Sequence, residues 1–222
     1  VTRPVQNRAA QTRELRIIAG QWRGRRWRFP TGPDIRPTPD RVRETLFNWL
    51  APHIRGARVL DLFAGSGALG LESLSRGAAH ATFVDADPRA VDALRERCTG
   101  WSGASREAGT PVGSAEFHRA DAPAFLAGQA GRSSSGPAAV PFDVVFLDPP
   151  FGAGLWGKTA SRLESGGWLA PQAFVYLEAP AGALPPGLPA TLQPWRHGTA
   201  GEVGYHLLRR DARPASDEAN AT

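Results

Sequence analysis

The stretch ARVLDLFAGSGALG, residues 57–70, decides the fold. An apolar run that ends on an acid passes directly into glycines and then into a helical apolar pattern, the signature of a buried strand, a tight turn and a helix. Gly65, Gly67 and Gly70 stand at GxGxxG spacing, which lets a ligand approach the backbone and points a helix N-terminus at it. The same spacing also suits a strand-to-helix turn that binds nothing, so the neighbouring residues must choose between the two. Asp61 ends the strand four residues before Gly65. A carboxylate there repels a pyrophosphate and suits a cation, such as the ammonium and sulfonium groups of S-adenosylmethionine.

Outward from this unit the chain alternates. ALGLESLSRG reads as a helix closed by Gly77, HATFVDA as the next strand, residues 88–98 as a helix, AEFHRAD as a third strand and PAFLAG as a short helix. FDVVFLD follows as the fourth strand, FVYLEA as the fifth and EVGYHLLRR as the final one. Strands separated by helices predict an α/β fold with a parallel, doubly wound sheet. Residues 99–114 and 128–141, rich in Gly, Ser, Pro or Ala, are expected to be flexible loops. Upstream, the stretch from Glu14 (LRIIAG, then WRGRRWRF) predicts a basic β-hairpin turning around Gly20 and Gly24. A Pro-rich loop, TGPDIRPTP, separates it from a helix that Thr38 can cap, with Pro39 at the first position. Val42, Leu46, Trp49 and Leu50 give that helix one apolar face, and Pro52 is expected to end it. The expected organisation is a flexible tail over 1–13, hairpin and helix over 14–52, the α/β domain over 53–210 and a flexible tail over 211–222.

The strand ends supply the rest of a pocket. The second strand ends at Asp85, twenty residues beyond Gly65, where an acid grips a ribose diol, with Ala86 beside it. The third ends at Asp121, a partner for an adenine amino group, next to the Ala122 backbone. Asp61, Asp85 and Asp121 line one crevice on the carboxyl edge of the sheet, where ligands of this architecture bind. With Phe63, Ala64, Gly65 and Gly67 of the turn they favour an adenosyl cofactor over NAD. Asp87, followed by Pro88, reads instead as a helix cap.

The fourth strand delivers Asp148-Pro149-Pro150-Phe151. Two prolines after a buried strand fix the backbone and leave its carbonyls without a ladder partner. An amino group on an aromatic ring is a poor nucleophile, because its lone pair is delocalised into the ring, and it must be turned toward the methyl donor. The Asp148 carboxylate and the Pro149 carbonyl can each accept one N–H bond and do that aiming, while Phe151 can stack on the base. Transfer then passes in line from sulfur to nitrogen, carried by positioning and charge complementarity. The plainer alternative, a rigid turn with a core Phe, loses weight at the end of strand four behind a glycine loop and strand-end acids.

Charge points to the partner. Residues 1–58 hold thirteen Arg against Glu14, Asp34, Asp40 and Glu44, a balance of +9, while the remainder carries −4. A basic front on a mildly acidic body suits a polyanion at one end. Arg16, Arg23, Arg25, Arg26 and Arg28, interleaved with Trp22 and Trp27, form the candidate RNA-gripping hairpin, the arginines on phosphates and the tryptophans stacked on unpaired bases. The other reading packs one Trp face on the sheet and leaves the Arg side chains to solvate an edge strand.

These residues together resemble the bacterial methyltransferases that modify a guanine N2 in small-subunit (16S) ribosomal RNA. The resemblance runs from about Arg16 to Leu208 and is carried by RIIAGQWRGRRW, RPTPDRVRETLFNWLAP, DLFAGSGALGLESLSRGA and DPPF. It implies a class I methyltransferase (Rossmann-like) fold with a seven-stranded sheet and a small basic N-terminal hairpin extension. It also implies that Arg36, Thr38 and Arg41 sit near the cofactor pocket, that S-adenosylmethionine leaves as S-adenosylhomocysteine, and that the substrate is 16S rRNA in an assembling or assembled small subunit. Arg41 and Arg43 read equally as a solvated helix face or a pair with Glu44 and Asp40. The chain departs from the family at Asp85, where Glu is frequent, at Asp121, where the family varies, and in the length of its two loop stretches.

Composition bounds the remaining choices. With 222 residues, 41% hydrophobic and 21% charged, the chain is an ordinary globular protein rather than a collagenous, disordered or disulfide-built one. No apolar run approaches the ~20 residues that cross a bilayer, no signal core follows the Arg-rich start, and a cytoplasmic monomer is expected. Cys98 stands alone and reads as a small core residue, and the five histidines show no ligand spacing, so no metal is expected. A DNA adenine-N6 methyltransferase would use the same DPPF chemistry, but there is no separate target-recognition domain. An NAD-dependent oxidoreductase would need a catalytic Tyr-Lys or His-acid arrangement, and Lys158 is expected in a loop. A non-catalytic RNA-binding module is the third alternative. Trp156, after DPPF, reads either as part of the pocket wall or as core.

Overall fold

The computed structural model describes residues 11–31, 38–130, 140–150 and 154–211. Within them the chain runs β1 (Gln11–Arg16), β2 (Arg26–Thr31), α1 (Asp40–Ile54), β3 (Arg58–Asp61), α2 (Ala68–Ser75), β4 (His80–Asp85) and α3 (Pro88–Glu107). It continues through β5 (Ser114–Arg119), α4 (Ala122–Ala130), β6 (Phe142–Leu147), α5 (Trp156–Ser165), β7 (Leu169–Pro180), β8 (Leu192–Ala200) and β9 (Val203–Arg210). β1 and β2 pair as a separate antiparallel hairpin, and the other seven strands form one sheet in the order β5-β4-β3-β6-β7-β9-β8. β3 lies between β4 and β6, both parallel to it. The strand order reverses there, which opens a crevice at the carboxyl ends of β3 and β6.

The central strands are mostly apolar between their ends because both faces are covered. Val59, Phe83, Phe146 and Tyr176 turn toward the layer of hairpin, α1, α2 and α3, whereas Leu60, Val84, Val145 and Val175 turn toward α4 and α5. The hairpin is seated on α2. Glu72, fully buried, accepts the Ile18 and Ala19 N–H groups at 2.8 and 3.0 Å and pairs with Arg76 at 2.7 Å. The Ser75 hydroxyl donates to the Ala19 carbonyl at 2.6 Å and accepts the Trp22 N–H at 2.9 Å. Arg43, with no exposed surface, donates to the Arg16 carbonyl and to Asp40, and lies 3.6 Å from Glu72. Its pairing with Asp40 joins a buried guanidinium to a carboxylate that still reaches solvent, and the solvated-face reading holds only for Arg41, which is exposed.

Several expectations need correction. Residues 11–13, expected in the tail, are strand, because β1 pairs Gln11, Thr12 and Arg13 with Thr31, Pro30 and Phe29, a backbone ladder that hydropathy does not reveal. Pro52 lies inside α1, which continues to Ile54 because that side chain is buried one turn beyond Leu50. The stretch 99–107 belongs to α3, held by Trp101, whose ring meets Trp22 at 5.4 Å and Trp27 at 5.8 Å. Residues 128–130 complete α4, and Lys158 lies on α5, a helix that the sequence pattern does not reveal. Nor does it reveal β8: of its residues Leu192 alone is buried, the pattern of an edge strand. The sheet is mixed, not wholly parallel: β9 pairs antiparallel with both β7 and β8, and the two-residue turn at 201–202 that joins β8 to β9 can only reverse the chain. The expected tail residues 1–10 and 212–222 and the loop residues 131–139 lie outside the described residues.

Candidate active site

The pocket starts from the glycine turn after β3. Gly67, at φ +77°, caps α2, and a Cβ there would stand 2.1 Å from Leu94; one on Gly70 would stand 2.2 Å from the Phe83 ring. Both positions therefore need glycine, the first for backbone conformation and close packing, the second for seating α2 on β4. The Ala64 N–H donates to the Val84 carbonyl at 3.0 Å, and Phe63 is half-buried against the α4/α5 layer.

Asp61 is buried, and its Oδ2 accepts the Gly70 N–H at 3.1 Å. Burial pushes its carboxyl up to about 7; the Gly70 bond opposes this, and the neighbouring Asp85 charge adds to it. Asp85 is half-buried, with Oδ2 accepting the Gly65 N–H at 2.7 Å and Oδ1 the Asp87 N–H at 2.8 Å. It thus ties the glycine turn to the end of β4, beside the exposed Ala86. Asp87 caps α3 through the Arg89 N–H, as its Pro88 neighbour suggested.

Asp148 follows the last residue of β6, half-buried, with Pro149 buried and Pro150 exposed behind it. Burial raises its carboxyl well above the ordinary range, and the charges of Glu178 and Asp61 raise it further. The structure therefore brings Asp61, Asp85 and Asp148 together at adjacent strand ends. Asp121 stands apart: it is exposed, and its Oδ1 accepts the Ala124 N–H at 2.7 Å in the first turn of α4, where Ala122 is buried. Phe151 and Arg36 lie outside the described residues.

Two members of the site, Glu178 and Tyr176, escape sequence reasoning. Glu178 on β7 is buried, and its Oε1 accepts the Thr38 hydroxyl at 2.6 Å and the Tyr176 hydroxyl at 2.8 Å. Thr38 therefore does not cap α1, which has no side-chain cap bond; its hydroxyl is committed to β7. Trp156, half-buried, joins the same spot by donating its indole N–H to the Glu178 carbonyl at 2.9 Å. The signal is present in FVYLEA: one acid in an otherwise apolar strand cannot be buried without partners, and such a residue points to a site.

The hairpin is only partly what its composition suggested. Trp22 has no exposed surface; its indole N–H donates to the Ser105 hydroxyl at 3.0 Å, so it cannot stack on a base. Trp27 is likewise buried, donating to the Ser66 carbonyl at 3.1 Å. Both rings turn inward because the helical extension of α3 gives them an aromatic and polar partner surface. The arginines do reach solvent. Arg16 pairs with Asp40 at 2.7 Å and Arg26 with Glu14 at 2.8 Å; Arg25 lies over Trp101, and Arg23 and Arg28 are exposed. Cys98 is a core thiol, pushed up to about 12 by burial.

Comparison with known proteins adds an independent line. The model of the family described as conserved hypothetical protein 95 matches residues 15–209. The chain is 45% identical over 204 residues to the ribosomal RNA small subunit methyltransferase D of Escherichia coli strain K12, spanning 92% of this chain and 94% of that protein. It is 38% identical over 196 residues to the protein of the same name from Haemophilus influenzae, spanning 88% and 94%. A solved structure of a putative methyltransferase from Escherichia coli superposes with a TM-score of 0.72 at 44% identity, over 90% of this chain and 99% of that one.

Proposed function

The chain belongs to the conserved hypothetical protein 95 family, that of the ribosomal RNA small subunit methyltransferases D, and on that premise we propose that it methylates the exocyclic N2 of a guanine in 16S ribosomal RNA. The methyl donor is S-adenosylmethionine. One observation carries the reading: the Asp148 carboxyl, first residue of DPPF, sits within electrostatic reach of Asp61, which is bonded to the first turn of α2 behind the glycine loop.

The residues fit a cationic cofactor. Among the described residues, the groups acting on Asp61 are two backbone N–H donors and the Asp85 carboxylate, with no cation among them. A site this short of positive charge opposes a pyrophosphate and favours ammonium and sulfonium. Asp85 is aimed by its two backbone donors, and the remaining lone pairs on its oxygens can take the ribose hydroxyls. Phe63, Ala64, Gly65, Gly67 and Ala86 form the wall, Ala122 is the candidate for the adenine edge, and Thr38 and Arg41 lie toward the methionine end.

When bound, S-adenosylmethionine supplies a methyl group on a positively charged sulfur. This chain's part is orientation. The Asp148 carboxylate and the Pro149 carbonyl each accept one amine N–H, turning the lone pair toward the methyl carbon, with Pro150 fixing the turn and Phe151 stacking on the base. Arg16, Arg23, Arg25, Arg26 and Arg28 hold the RNA backbone, and the target guanine leaves its stack to reach Asp148. The protein acts as a monomer in the cytoplasm, on a partly assembled small subunit.

The test is transfer of labelled methyl to small subunits and naked RNA from a strain lacking the gene, followed by digestion to nucleosides. Label in N2-methylguanosine, lost with Asp148→Ala, is expected. Label in another nucleoside overturns the substrate, and no label on any RNA overturns the reading.

A further inference from the structure

Glu178 is Asp148's neighbour on the next strand. Leu147 and Leu177 are partners in the parallel β6–β7 register. The following residues, Asp148 and Glu178, are thus matched across strands about 5 Å apart, and alternation places both on the face of Phe146 and Tyr176. A purely structural role does not call for a carboxylate here. Burial raises the Glu178 carboxyl above the ordinary range, and the Thr38 and Tyr176 hydroxyls that converge on Oε1 oppose that rise, as donors of the kind that favour its charged form.

Among the described residues, the titratable groups facing the pair are Asp61 from β3, Tyr176 on β7 and Tyr205, which is matched with Glu178 from β9. Among the described residues, the groups acting on Asp148 are carboxylates, with no cation among them. We propose that Glu178 is a positioning residue for methyl transfer: with Thr38 and Tyr176 holding its charge, it keeps a proton on Asp148 until a positive charge enters the site, whereupon Asp148 gives that proton to water. One O–H bond breaks, its electron pair stays on the carboxylate, and nothing is oxidised or reduced. Asp148 becomes a full acceptor for the amine only once the cationic cofactor is in place, so cofactor binds before base. This inference rests on the methyltransferase reading above.

The experiment is calorimetric titration with S-adenosylmethionine at about pH 8, in two buffers of different ionisation heat. At that pH Asp61, near 7, is mostly ionised already and adds little. The wild-type protein should release close to one proton more than Glu178→Gln, whose amide oxygen still accepts both hydroxyls. The acid limb of the kcat profile should move down by about one pH unit in Glu178→Gln and by less in Thr38→Val. Thr38→Val carries the test if Glu178→Gln does not fold. Equal proton release and an unmoved acid limb in wild type and variants overturn the inference while leaving methyl transfer intact. A wild-type protein that does not bind S-adenosylmethionine overturns the proposed function and the inference with it.

Discussion

The indole N–H of Trp27 donates to the carbonyl of Ser66 across 3.1 Å, so the basic hairpin and the glycine turn share a hydrogen bond although 39 residues separate them. The same ring meets Trp101 edge-on and lies under Arg97. The hairpin is thus a buttress of the proposed cofactor loop as well as a candidate RNA surface.

Trp27→Phe keeps most of the ring but leaves the Ser66 carbonyl without its donor, a loss of about 1–3 kcal/mol for a buried acceptor. Cofactor affinity should fall by roughly five-fold or more, while RNA affinity stays the same. Calorimetry with S-adenosylhomocysteine and filter binding with RNA separate the two. A variant that loses RNA affinity alone would contradict the buttress.

Asp61 makes the fold pH-dependent. Its folded value, about 7, stands above the ordinary 3.8, so the folded protein holds a proton that the unfolded chain has lost between those values. The stability of the neutral form is complete below the lower value and is lost as pH rises through the window, by about 4 kcal/mol in all. Urea unfolding at several pH values should show Asp61→Asn gaining on wild type as pH rises from 4 to 8. A constant difference between the two would refute this.

Glu72 and Glu14 both pair with arginines, but with opposite consequences. Glu72→Gln leaves Arg43 in the interior with only Asp40 to balance it, and breaking a buried pair costs about 3–5 kcal/mol. Glu14→Gln removes an exposed pair with Arg26 and should cost under about 1 kcal/mol. Denaturant midpoints check the contrast; similar midpoints would mean that the clamp on the hairpin is not held by charge.

Arg23 and Arg28 are exposed and enter no ion pair among the described residues. Replacing each with Ala should lower the slope of log affinity against log salt by about 0.7 for every phosphate that is no longer neutralised. Trp22→Phe, which changes only a buried ring, should leave that slope alone and lower the melting temperature. An unchanged slope in the arginine variants would move the RNA surface elsewhere.

Much of the molecule is legible in the chain because its signals are local. The run into Gly65 and Gly67, the Asp87-Pro88 cap and the apolar strands at 142–147 and 174–179 each announce themselves within a few residues. What escapes depends on distant partners. Gly100 and Gly103 weaken α3 locally, and the helix persists because hairpin tryptophans from some eighty positions earlier pack on Trp101. β8 has one buried residue and is a strand because β9 offers it a ladder.

The candidate site divides in the same way. From the sequence alone come the β–glycine turn–α unit, the acids at 61, 85 and 148, and the basic front, since residue type and spacing carry them. Tertiary structure alone decides that Thr38 answers Glu178 across 140 residues instead of capping its own helix. It also decides that Trp22 and Trp27 face inward and that Asp121 serves α4. A hydroxyl, an indole or a carboxylate has several possible partners of similar strength, and the choice among them belongs to packing, which sets the partners that remain once water is excluded.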